Sequence, residues 1–323
     1  MAQTVLAADL GGTHLRAALV DHAGKVSHRS ECPTPARASA DELITAIADL
    51  LVAVVAQAEE APAAAALGTP GLINGDEGKV ILAPNIPAFR DLALAAPIAT
   101  RLGFPVYIEN DASVAALGEF RFGAGRGTRH LLHATLGTGI GGGIVIDGRL
   151  YRGAKGFAGE IGHMIIDPSG PVCACGSRGC LEALVSGTAF GERARRLAAS
   201  GKSPTLAAIA GERPFTGADL LAAAKAGEGP AEAEIRHGGH LLGLALGGLA
   251  NVLNPDAITL SGGLLGMGEM LLGPMRGAIY SIAYGPASGT PVRLTELGDD
   301  AGLLGAAAVA FERLDTGRQG APR

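Results

Sequence analysis

Three of the four cysteines of this chain, Cys173, Cys175 and Cys180, fall within eight positions of one another. They lie in GEIGHMIIDPSGPVCACGSRGCLE, residues 159–182, and His163 stands ten residues before the first of them. Three thiolates and one imidazole nitrogen make a Cys₃His donor set, which suits a tetrahedral Zn²⁺. All four positions are filled by protein, so the expected role is structural: the metal fixes a glycine-rich loop too poor in apolar residues to order itself. The alternative is a set of unliganded buried cysteines beside an unrelated histidine. Cys32 is remote and reads as a bystander. Glu160 and Glu182 flank the cluster. If one nitrogen of His163 binds metal, the other is left for a ligand hydroxyl, and two carboxylates beside it can accept hydrogen bonds from adjacent hydroxyls. The segment therefore reads as a metal-positioned polyol site, unless the two glutamates are merely solvated.

A second chemistry is suggested by glycine turns at strand ends. DLGGTH at 9–14 places Asp9 and Thr13 around Gly11 and Gly12, where backbone N–H groups face a phosphate with no Cβ in the way and the carboxylate can hold Mg²⁺ through water. An ordinary glycine hairpin is the competing reading. LGTGIGGG at 136–143 repeats the device, with hydroxyls at Thr135 and Thr138 and a turn at Gly139, and LSGGLLG at 260–266 adds a third turn at Gly262 and Gly263. Three such turns suggest a nucleotide cradle. The Walker A pattern and the strand-to-helix dinucleotide fingerprint are both missing. Asp111 follows a strand-like FPVYIEN and opens a helix-like ASVAALGEF. It is either a helix N-cap or a general base within reach of a substrate hydroxyl during phosphoryl transfer.

The elements that must carry these residues alternate. TVLAADL, LRAALV and KVSHRS read as strands joined by turns, and a helix follows from about Asp41 to Glu60. AAAALG leads as a strand into Thr69-Pro70-Gly71. HLLHATL and GIVID repeat the first hairpin at an offset of 126, which sets Leu136 on Leu10, Gly137 on Gly11, Ile146 on Val20 and Asp147 on Asp21. A duplicated α/β lobe is the expectation. Helices are expected at 188–200 and 230–253, then the strand AITL at 257–260, a last helix AGLLGAAAVAFERL and a frayed end. The apolar, glycine-rich HLLGLALGGLANVL implies close helix packing or an oligomer interface.

At 323 residues, two lobes are expected rather than one. Apolar residues make up 48%, charged ones 18%, and the net charge is −5, which argues against a sequence-independent nucleic-acid binder. No secretory signal or bilayer-length apolar run is legible, so the expected setting is the cytoplasm, where clustered cysteines bind metal more often than they form disulfides.

These motifs together, DLGGTHLRAAL, GTPG at 68–71, PNIP at 84–87, END at 109–111, LGTGIGGG, GEIGH and CACGSRGCLE, resemble the ROK family of sugar kinases and repressors nearly end to end, most closely its glucokinases. The resemblance implies an actin-like (ribonuclease H-like), duplicated two-lobe kinase fold with a cleft between the lobes. The expected division is 1–120 for an N-terminal lobe, onto which a helix at about 301–314 packs back, and 121–300 for a larger lobe carrying the zinc loop at 163–180. It further implies transfer of the γ-phosphate of Mg·ATP to a sugar 6-hydroxyl, with Asp111 as base. Asn85, Asn110, Glu160, His163 and Glu182 would grip the other hydroxyls. Asp9, Gly11, Gly12 and Thr13 would form one phosphate turn and Thr138 and Gly139 the second, with Gly262 and Gly263 near the adenosine. Zinc would sit on His163, Cys173, Cys175 and Cys180. Where relatives often carry Trp after PN-x-P, this chain has Ala88-Phe89 and no Trp. Family repressors place a DNA-binding domain before the first turn, for which Asp9 leaves no room here, so direct nucleic-acid binding is not expected. Glucose is the expected sugar, another hexose the first alternative, and a non-catalytic sugar sensor the alternative of another class. A homodimer or homotetramer is expected.

Overall fold

The computed structural model describes residues 3–83, 86–211 and 213–319; Asn85 lies outside the described residues. In chain order the elements are β1 (Thr4–Leu10), β2 (His14–Asp21), β3 (Val26–Pro33), α1 (Ala40–Val55), β4 (Ala65–Thr69), β5 (Leu72–Asn74), β6 (Lys79–Leu82), β7 (Arg90–Ala93), α2 (Ala95–Leu102), β8 (Val106–Asn110) and α3 (Asp111–Phe122). There follow β9 (Leu131–Leu136), β10 (Ile140–Ile146), β11 (Arg149–Leu150), α4 (Leu181–Val185), α5 (Gly187–Ala199), α6 (Pro204–Ala208), α7 (Gly217–Lys225), α8 (Gly229–Leu253), β12 (Ala257–Ser261), α9 (Glu269–Ile282), β13 (Val292–Leu294) and α10 (Ala301–Gln319). The last helix therefore runs through residues expected to fray.

Two five-stranded sheets have matching orders, β3-β2-β1-β4-β8 and β11-β10-β9-β12-β13. In the first, β1 and β2 form an antiparallel hairpin, while β1, β4 and β8 run parallel. In the second, β12 and β13 are parallel. The repeated glycine hairpin of the sequence is thus the seed of a repeated sheet. β4 and β12 are buried along their whole length, which is why they read as apolar runs rather than as alternating strands. A small sheet, β5-β6-β7, has no counterpart in the sequence expectations.

The contacts of the chain divide it into two compact units, residues 1–131, 143–159 and 295–323 in one and 132–142 and 160–294 in the other. Where the sequence suggests crossings near residues 120 and 300, the chain crosses four times, because residues 143–159 return to the first unit before the second resumes at Glu160, and α10 closes the chain against β1, β4 and α3. In this first unit, α1 is started by a capping box in which the Glu42 carboxylate accepts the Ser39 N–H at 2.8 Å. Phe89 is fully buried in the core with Ile86 and Leu94, so it packs the interior instead of replacing the missing Trp at a ligand wall.

In the second unit, Gly239, Gly243 and Gly247 line one stripe of α8. A Cβ on Gly239 or Gly243 would lie 3.0 Å from the carbonyl carbon of Leu271 or Met275, with the oxygens nearer still. α8 therefore packs backbone-close on α9, which accounts for the glycine content of HLLGLALGGLANVL. Among the described residues, no helix is long and apolar enough to cross a membrane.

Candidate active site

In the first unit, the parallel register fixes what stands beside what. Asp9 pairs with Gly68, and Thr69 pairs with Asn110. The Gly11-Gly12 turn, the GTPG turn and Asn110-Asp111 therefore leave the carboxyl ends of three neighbouring parallel strands, the edge on which open α/β sheets bind ligands. Asp9, Gly11, Gly12, Thr13, His14 and Arg16 line a cavity of about 200 Å³. Burial raises the Asp9 pKa, and the charge of Arg16 opposes that shift.

The N-cap of α3 is Asn110, not Asp111. Its Oδ1 accepts the N–H groups of Ala112 at 3.0 Å and Ser113 at 3.2 Å, while its Nδ2 donates to the Gly71 carbonyl at 3.0 Å. This commits Asn110 mostly to holding the strand end and the GTPG turn, with one amide hydrogen left over. Asp111 is the first helical residue and is exposed; its Oδ1 accepts the Ala112 N–H at 2.8 Å. The cap reading of Asp111 falls away, and a solvent-facing carboxylate at a helix start is what remains.

Two sets of residues in this unit escape the sequence reading. Beneath Asn110, Glu109 is buried and meets Arg152, whose Nε donates to Glu109 Oε2 at 2.6 Å and whose Nη2 donates to Glu312 Oε2 at 2.7 Å. Burial works against the Arg152 charge, but the two carboxylates overcome it and raise its pKa. The other is Gly302, in the first turn of α10. A Cβ there would lie 3.0 Å from Asp9 Cβ and closer still to its carboxylate. Neither partner is a sequence neighbour, so the only signal for Gly302 is a glycine at a helix start.

In the second unit, the turn at Gly137–Gly139 is held from behind by the start of α5: Gly187 N–H donates to Gly137 O at 2.8 Å and Thr188 Oγ1 to Thr138 O at 2.9 Å. Glu182 Oε2 accepts the Ile140 N–H at 2.9 Å, and a Cβ on Gly139 would lie 3.2 Å from Glu182 Cδ. Glu182 is thus tied to the second glycine turn while its charge is felt at Glu160. Glu160 Oε2 lies 3.8 Å from His163 Nε2. Its pKa is raised by burial and by the charge of Glu182, against the attraction of His163. Glu160, His163 and Glu182 therefore come together as the spacing suggests. Gly262 sits against β9: a Cβ there would lie 2.6 Å from the Leu136 carbonyl carbon, which brings the second and third turns side by side.

The other nitrogen of His163 faces the cysteines. Nδ1 lies 3.8 Å from Cys173 Sγ, Cys175 Sγ lies 3.7 Å from Cys180 Sγ, and all four donor atoms fall within 4.8 Å of one another. A tetrahedral ion with bonds of about 2.3 Å needs donors about 3.7 Å apart, so the set fits zinc. The Ser177 backbone N–H pulls the Cys175 thiol down to about 6, and burial pushes Cys180 up to about 12.

The ROK family model matches residues 5–313. A glucokinase of Thermotoga maritima is 36% identical over 96% of this chain and 98% of its own. A ROK hexokinase from Thermus thermophilus superposes with a TM-score of 0.84 at 33% identity, over 97% of this chain and 100% of that one. A ROK glucokinase from Streptomyces griseus, in complex with glucose and AMPPNP, gives 0.79 at 33% identity, over 96% and 99%. The chain belongs to the ROK family, and its matching pair of sheets is the duplicated α/β core of the actin-like sugar-kinase fold.

Proposed function

We propose that this chain is an ATP-dependent glucokinase that phosphorylates the 6-hydroxyl of glucose, with Asp111 as general base. The observation that supports the base assignment is the cap at β8–α3: Asn110 holds the helix start, and the Asp111 carboxylate beside it is exposed. In the reaction, Asp111 takes the proton of the sugar 6-hydroxyl as its oxygen attacks the γ-phosphorus. The bond from phosphorus to the bridging oxygen breaks, and ADP leaves in line. Asn85, the spare amide hydrogen of Asn110, Glu160, His163 Nε2 and Glu182 bind the remaining hydroxyls. The turns at Gly11–Thr13 and Thr138–Gly139 offer N–H groups to the phosphates, and Gly262 and Gly263 border the adenosine. Mg²⁺ brought with ATP would supply charge neutralisation of the phosphates, and Asp9 would hold it through water. Zn²⁺ on His163, Cys173, Cys175 and Cys180 would order the loop and fix the tautomer of His163, so that Nε2 faces the sugar.

The test is a coupled ADP-release assay over glucose, mannose, fructose, N-acetylglucosamine and N-acetylmannosamine, compared by kcat/KM. Glucose is expected to dominate, and Asp111→Asn to lose about 10²- to 10⁴-fold in kcat with sugar binding retained. Near-wild-type turnover of that variant would overturn the base assignment, and another sugar leading would change the substrate.

A further inference from the structure

His133, on β9, is completely buried, and nothing in the reaction above uses it. Its ring joins three hydroxyls. Nδ1 lies 2.9 Å from Thr259 Oγ1, and Nε2 lies 3.0 Å from Ser261 Oγ and 3.2 Å from Thr135 Oγ1. Ser261 Oγ is in turn 3.2 Å from Thr135 Oγ1. Burial pulls the imidazole down to about 4, so at neutral pH the ring carries one N–H, and the geometry decides which nitrogen holds it.

Counting hydrogens settles the choice. Thr259 is fully buried, and among the described residues its hydroxyl is paired with this ring alone. A proton on Nδ1 would make Thr259 an acceptor and strand its own O–H in the interior without a partner. With the proton on Nε2, each group donates to the next: Thr259 O–H to Nδ1, Nε2–H to Ser261 Oγ, and Ser261 O–H to Thr135 Oγ1. Thr135 then cannot donate back to the ring, so its hydroxyl hydrogen turns out of the cluster. Thr135 is half-buried where the other three are buried, and it stands two residues before Gly137, while Ser261 immediately precedes Gly262. The relay thus ends at the junction of the second and third glycine turns.

We propose that His133, held as its Nε2–H tautomer, is a positioning residue that makes the Thr135 hydroxyl an outward hydrogen-bond donor to a phosphate oxygen of the nucleotide. An anionic oxygen requires a donor there, and the opposite tautomer would let Thr135 donate inward and face the phosphate with lone pairs. The inference rests on the ATP-dependent reading above and deepens it.

Two measurements test it. Nitrogen-15 NMR of the histidine side chains in the intact wild-type protein at neutral pH is expected to show His133 protonated at Nε2 and bare at Nδ1; the reverse tautomer overturns the proposal. Calorimetry with Mg·AMPPNP and steady-state kinetics then follow Thr135→Val, Thr135→Ser and His133→Phe. Thr135→Val is expected to weaken nucleotide binding and raise the KM for ATP roughly tenfold, with the sugar KM unchanged and Thr135→Ser restoring both. His133→Phe should lose the same nucleotide affinity, and the His133→Phe/Thr135→Val double variant no more than either alone. If His133→Phe does not fold, the Val and Ser pair and the NMR still decide. Wild-type binding of AMPPNP with Thr135→Val at parity overturns this inference alone, whereas a wild-type chain that binds no nucleotide overturns the kinase reading together with it.

Discussion

Replacing Gly302 with Ala probes the most crowded point around Asp9. A Cβ on residue 302 would lie 3.0 Å from Asp9 Cβ and nearer to its carboxylate, whereas unbonded carbon atoms sit about 3.5–4.0 Å apart. Either α10 or the carboxylate must therefore give by about 1 Å. α10 is fixed against β1, β4 and α3, while Asp9 edges a cavity, so the carboxylate is the part that moves. Overpacking costs about 1–3 kcal/mol, and the helix regains about 0.5–1 kcal/mol when Gly becomes Ala. The net loss of stability is then about 0–2.5 kcal/mol. A misplacement of about 1 Å in a reacting assembly costs about 10²-fold in rate. The expected outcome is a small change in Tm and a drop of about 10²-fold in kcat/KM for ATP, measured by coupled ADP release. Gly248→Ala is the control: a Cβ there meets nothing within 4 Å, so activity should hold and stability stay level or rise. A Gly302→Ala protein with wild-type kcat/KM, or one whose loss of activity merely tracks a loss of folded protein, refutes the reasoning.

Metal analysis is expected to find about one zinc per chain, as a single four-ligand set requires; chelation or Cys175→Ser should lower Tm and sugar affinity together, and a metal-free protein with full sugar affinity would contradict this. Arg152→Met removes the cation from Glu109 and Glu312, whose side chains are 3% and 12% exposed, and should cost about 3–5 kcal/mol in urea unfolding; a loss under about 1 kcal/mol would show the pairs to be dispensable. His133 binds its proton less readily in the folded chain, near 4, than in the unfolded one, near 6.5. Its contribution is therefore complete above pH 6.5 and is lost as pH falls towards 4, by about 3 kcal/mol. Unfolding curves of wild type and His133→Gln should diverge in that window, and parallel curves would exclude the histidine as their cause.

Legibility in the sequence followed the range of the interactions. β1, β4 and β12 announced themselves because strands buried on both faces are largely apolar, and the hairpin repeat at an offset of 126 foretold two sheets of one order. β5, β6 and β7 are three or four residues long with mixed burial, too short for a period to show. The Cys₃His cluster and Glu160 were readable as a group because they sit in one local stretch. Asp111 was readable as an acid at a strand end, but the sequence did not show that Asn110, its amide held by the Gly71 carbonyl, caps the helix. Gly302 and Arg152 act on residues hundreds or tens of positions away, and no local pattern encodes such a meeting.

The return of α10 to β1 sets an order for synthesis. The strand Thr4–Leu10 is covered by a helix that begins at Ala301. At about 5–20 residues per second, the wait between them on the ribosome is on the order of half a minute. The unit bounded by Leu132 and Leu294 has its whole sequence available before the other does. A chain without α10 thus forfeits the cover of β1. Loss of α10 should be felt at Asp9, nearly three hundred residues away, where Gly302 closes on the carboxylate.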